Sequence, residues 1–153
     1  MSTSPDMFFT VGPGSIREDL WSDAARQKAS SLGYTIRLNP NSGKLPTEAW
    51  AELLSGVEAL ITTWGAPSLD DDVLARNDML KIVGHAAGSV SPIVTPALYD
   101  RGVKVVTANW EMARSVAEWS MMMTLIAARN VLSYGKFGEA GVLNPSMRAV
   151  GRA

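Results

Sequence analysis

Apolar positions follow two rhythms along this chain. Short runs rich in β-branched and aromatic residues occupy residues 7–11, 34–38, 59–63, 81–83 and 103–107. Between them, apolar residues recur every three or four positions, which is the helical period. The first such stretch carries Leu20, Trp21, Ala24, Ala25 and Leu32. It opens on Ser15-Ile16-Arg17-Glu18, the pattern of a capping box, and closes at Gly33. Thr47 caps a second helix with Trp50, Leu53 and Leu54 on its apolar side, ended by Gly56. Residues 68–71 form another capping pattern, leading into Val73, Leu74 and, past Asn77, Leu80. Thr95-Pro96 pairs a capping residue with proline at the first helical position, and Gly102 ends that helix. Ser115-Val116-Ala117-Glu118 opens the last and most apolar helix.

Five strand-like runs separated by helices imply parallel pairing through right-handed crossovers. The expected fold is therefore α/β: a three-layer, flavodoxin-like parallel five-stranded sheet of order 2-1-3-4-5, with a protruding C-terminal apolar helix. Residues 1–114 would form the compact domain, 115–132 a linking helix and 133–153 an irregular tail punctuated by Gly135, Gly138, Gly141 and Pro145.

Composition narrows the classes. The chain has 153 residues, 46% of them hydrophobic, enough for one domain with a core. Its net charge is −1 with 14 scattered basic residues, so no basic stripe points to nucleic acid. Cysteine is absent, which excludes disulfides, a thiol nucleophile and cysteine-ligated metal. The N-terminus lacks the basic-then-apolar pattern of a secretory signal. Residues 116–132 are broken by Ser120, Thr124, Arg129 and Asn130 and fall short of a membrane span. A soluble, cytoplasmic protein is expected.

In an open parallel sheet, ligands sit at the carboxyl ends of the strands. Those ends are Gly12-Pro13-Gly14, Thr63-Trp64-Gly65, His85-Ala86-Ala87-Gly88-Ser89 and Ala108-Asn109. The run of small residues leaves backbone amides open to a close anion, or merely lets a loop pass over the sheet edge. His85, the one histidine, either lines the cleft or packs beneath it. Trp64 either walls the pocket or packs. Asp70-Asp71-Asp72 has a metal-like look, but acidic residues in a first helical turn already favour the helix dipole. Glu118 is accounted for by its capping box.

Four segments, in order, resemble the N-terminal substrate-binding (catalytic) domain of the D-isomer-specific 2-hydroxyacid dehydrogenases, the group with D-3-phosphoglycerate dehydrogenase and glyoxylate/hydroxypyruvate reductase. They are Ala59-Leu60-Ile61-Thr62-Thr63, the strand and loop from Leu80 to Val90, Asp100-Arg101-Gly102-Val103-Lys104-Val105-Val106-Thr107, and Ser115-Val116-Ala117-Glu118 with its helix to Asn130. The resemblance implies that the amides of Ala87, Gly88 and Ser89 hold a substrate carboxylate. Ala87 and Ser89 stand where two glycines are common, and Ser91 where an aspartate is common. It also implies hydride transfer between NAD or NADP and a 2-keto or 2-hydroxy acid in a homodimeric enzyme.

That family's catalytic histidine, glutamate and arginine come from a later part of the chain, so no catalytic residue is assigned here. A dinucleotide loop is not evident either. Gly12-Pro13-Gly14 has proline between its glycines and Arg17 where a third glycine would stand, and the second strand ends without an acidic residue. The expectation is a substrate-binding portion lacking its nucleotide-binding domain and inactive alone, with its last helix apolar on most sides. The alternative is a non-catalytic ligand-sensing or oligomerisation domain derived from the same fold. A response-regulator receiver would need acidic residues where Gly12-Pro13-Gly14 stands, and a flavodoxin would need a richer phosphate loop than Ser15 provides.

Overall fold

A computed structural model describes residues 6–131 of the chain. The expected tail and the end of the linking helix, residues 132–153, lie outside the described residues. Five strands form one parallel sheet in the order β2-β1-β3-β4-β5: β1 Asp6–Phe9, β2 Thr35–Leu38, β3 Ala59–Thr62, β4 Ile82–His85 and β5 Lys104–Thr107. The helices are α1 Ser15–Leu20, α2 Asp23–Ser31, α3 Thr47–Leu53, α4 Pro96–Asp100 and α5 Asn109–Ala128.

Successive strand residues face opposite sides of a sheet, so a strand covered on both sides reads as a continuous apolar run. Phe8 and Phe9 of β1 show this. Phe8 joins Leu60, Val83, Trp50, Leu54 and Leu98 in the main core, while the Phe9 ring lies 6.3 Å from that of Trp21. The edges read differently. On β5, Lys104, Val106 and Thr107 are exposed.

Several expected helix starts are corrected. The single helix expected from Ser15 to Leu32 is two helices: Trp21 ends the first and the Ser22 hydroxyl caps the second by accepting from the Ala25 amide. Ser15 is not a cap. Gly14 holds that position, with no side-chain bond. Pro46, not Thr47, precedes α3. Residues 68–80 form turns rather than a helix. Asp70 Oδ1 accepts from the Val73 amide, and buried Asn77 donates to the carbonyls of Leu54 and Val57 while accepting from Met79 and Leu80. Those four bonds hold a non-helical path that periodicity does not foresee. Thr95 does cap α4, accepting from Leu98, with Pro96 at the first position.

Ser115 and Glu118 lie inside α5, which starts six residues earlier at Asn109, so neither belongs to a capping box. The start is set by β5: Thr107 Oγ1 accepts from the Asn109 amide, and the Ala108 carbonyl accepts from Glu111 and Met112. The chain divides into two compact units between Met112 and Ala113. In the second, the hydroxyls of Ser120 and Thr124 donate to carbonyls one turn back, which satisfies them within an apolar helix. No residue of α5 is buried, and no described helix is long and apolar enough to cross a membrane.

Candidate functional site

The carboxyl ends of the strands gather the chemistry. β4 ends in His85, and the next residues turn off the sheet. Ladder bonds continue one step on either side, from the Ala86 amide to the Thr62 carbonyl and from the Ala108 amide to the His85 carbonyl. Beyond that the chain is free to bend. Thr107, at the end of β5, fixes the bend: its hydroxyl lies 2.9 Å from the Ala87 carbonyl and 2.8 Å from that of Gly88. Thr63 Oγ1 reaches the Ala86 carbonyl at 3.4 Å. The loop carbonyls are thus turned towards the sheet.

The amides are left over. Among the described residues, the N–H groups of Ala87, Gly88 and Ser89 have no acceptor. Ala87 has no exposed surface, Gly88 is half-buried and Ser89 is exposed, so the donors open to a ligand are those of Gly88 and Ser89. The Ser89 hydroxyl is occupied by the Ser91 amide at 3.3 Å. A methyl added at Gly88 would lie 3.5 Å from Asn109 Oδ1 and 3.9 Å from the Met112 thioether, so this backbone runs close beneath the start of α5.

His85 is buried, 5% exposed, and its Nδ1 lies 2.9 Å from Thr62 Oγ1. Burial pushes the imidazole below the ordinary histidine value, so the ring is neutral at pH 7. It sits under the loop and anchors it to β3.

Trp64 stands at the tip of a tight turn closed by the Ala66 amide on the Thr63 carbonyl. Gly65 supplies the positive φ, +80°, that the third position of this turn requires. The indole is 63% exposed and borders a cavity of about 420 Å³ at the ends of β1, β2 and β3. The cavity floor is built from Asn39, which donates to the Thr10 carbonyl at 2.8 Å and accepts from the Asn41 amide at 3.0 Å. The Asn41 carbonyl occupies the space where a Cβ on Gly12 would stand. The loop after β2 thus packs directly against Gly12, and the residue that follows β2 is buried Asn39 rather than a carboxylate.

Two of the three acidic side chains at 70–72 have structural partners. Asp70 caps a turn and Asp71 pairs with Arg101 at 3.2 Å. Among the described residues no group of three histidine or carboxylate side chains is placed to hold a metal ion.

Periodicity did not point to Thr62, Thr107, Asn39 or Lys44. For Thr62, Thr107 and Asn39 the one available signal was position, a hydroxyl or amide side chain at, or just past, the carboxyl end of a strand; Lys44 carried none.

A five-stranded parallel sheet of order 2-1-3-4-5 defines the class as an open, doubly wound α/β domain. Residues 18–137 match the family described as D-isomer specific 2-hydroxyacid dehydrogenase, catalytic domain, and the chain belongs to that family. Similar proteins include the D-3-phosphoglycerate dehydrogenase of Methanocaldococcus jannaschii, 32% identical over 87 residues, which cover 57% of this chain and 16% of that protein. Among solved structures, a glyoxylate reductase from Paecilomyes thermophila is 16% identical with a TM-score of 0.65, covering 90% of this chain and 42% of that one. An NAD+-bound 3-phosphoglycerate dehydrogenase from Entamoeba histolytica is 15% identical with a TM-score of 0.61, covering 81% and 39%. The chain spans less than half the length of these relatives.

Proposed function

We propose that this chain is the substrate-binding portion of an oxidoreductase that moves a hydride between NAD(P)H and a 2-keto or 2-hydroxy acid. The observation that carries the reading is the loop after β4. Thr107 binds the carbonyls of Ala87 and Gly88, and the amides of Gly88 and Ser89 are left without a protein acceptor at a strand carboxyl edge. Successive backbone amides left without a protein acceptor can bind a carboxylate without a formal positive charge. Trp64 and His85 flank the loop from β3 and β4. In our reading Trp64 contacts substrate, and His85 stays neutral and supports the loop.

Residues 1–114 are the substrate domain in this proposal, and 115–132 lead towards a nucleotide-binding domain. The chain by itself holds no dinucleotide, because Asn41 fills the space over Gly12 and no carboxylate stands at the end of β2 for a ribose. The nicotinamide would supply or accept the hydride, while this chain's loop would orient the acid.

A titration of the 15N-labelled chain with glyoxylate tests this. Saturable shifts are expected at the Gly88 and Ser89 amides. A spectrum in which those two resonances stay still while others move contradicts the proposal.

A further inference from the structure

We infer that the cavity beside Trp64 receives the side chain of the acid, and that its preferred substrates are 2-oxo or 2-hydroxy acids bearing an aromatic or similarly bulky apolar group. The inference rests on the carboxylate reading of the loop and adds what lies at the acid's other end. Three observations carry it.

The first is adjacency. Thr63 binds the Ala86 carbonyl at 3.4 Å, and Trp64 and Gly65 follow directly into the cavity wall. One short turn therefore joins the anion loop to the cavity. The second is size and lining. About 420 Å³ lies within the range of small-molecule sites and far exceeds what a two-carbon acid fills. Val11, Trp50, Trp64 and Ala66 supply apolar surface, and no carboxylate lines the cavity. Lys44 is the one charged group on its wall and makes no ion pair with a described residue, so an acid held at the loop meets no repelling carboxylate in the cavity.

The third is the exposed indole. An indole left 63% exposed beside an apolar recess is an unused stacking surface, and an aromatic ring gains from it both burial and offset-stacking geometry. The floor is preformed rather than assembled on binding, since Asn39 is 2% exposed and bonded to both Thr10 and Asn41.

The test is amide- and indole-resolved titration of the full 153-residue chain with two probes, glyoxylate and phenylpyruvate. Both acids are expected to shift Gly88 and Ser89. Only phenylpyruvate is expected to shift the Trp64 indole N–H and the Gly12 and Gly65 amides. Trp64→Ala should weaken phenylpyruvate about tenfold and glyoxylate by much less, because a two-carbon acid has no side chain to lay against the indole. Trp64→Phe, which keeps a ring, should restore most of the difference. Equal effects of Trp64→Ala on the two acids, or phenylpyruvate shifts confined to the loop, would overturn the cavity inference and leave the loop reading standing. Silence of Gly88 and Ser89 towards both acids would overturn the loop reading, and the inference with it.

Discussion

A glycine with a normal backbone angle makes a clean probe of the loop. Gly88 tolerates a methyl sterically, since the nearest atom would be 3.5 Å away. Gly88→Ala should therefore change stability by no more than about 0.5 kcal/mol while weakening glyoxylate severalfold by crowding the amide face. Thermal unfolding and the same titration report the two effects separately. Gly12 is the opposite case. Its missing Cβ is what lets the Asn41 carbonyl close over β1, so Gly12→Ala should cost about 1–3 kcal/mol by chemical denaturation.

His85 carries the pH prediction. Its proton affinity is lowered by burial in the folded chain, so the unfolded chain takes up the proton first. Stability from this group is complete above the ordinary value of 6.5 and falls as pH drops below it. Urea midpoints measured down a pH series should show that decline, and His85→Gln should flatten it. Of the two places the sequence leaves open for His85, the structure takes the one beneath the loop, where the buried ring is bonded to Thr62.

At the scale of elements, strands were easier to read than helix ends. A strand such as β1 announces itself because both faces are covered, and Phe8-Phe9 records that in adjacent letters. Capping letters are weaker signals, because the same Ser-x-x-Glu pattern stands inside α5 at Ser115 without capping anything. There the hydroxyl of Thr107 in the preceding strand had already set the start. Residues 68–80 show the same competition. Val73, Leu74 and Leu80 carry helical spacing, yet Asn77 draws its bonds from α3 and the approach to β4. Asn77→Ala would strand several buried partners and should cost on the order of 3 kcal/mol by urea unfolding.

At the scale of the molecule, strand order was legible because parallel connectivity leaves few topologies open. The cavity was not. It arises where the loops after β1, β2 and β3 meet, and contacts such as Asn39 with Thr10 or Gly12 with Asn41 join residues about thirty positions apart. No local period encodes them.

In the proposed function this chain binds the acid and depends on a nucleotide-binding domain for hydride transfer. The most direct test is NADH oxidation with glyoxylate, hydroxypyruvate and phenylpyruvate, measured on the 153-residue chain and on the same chain joined to a family nucleotide-binding domain. Turnover only in the joined protein is the predicted result. Turnover by the 153-residue chain itself would contradict the account and place a catalytic site within the residues described above.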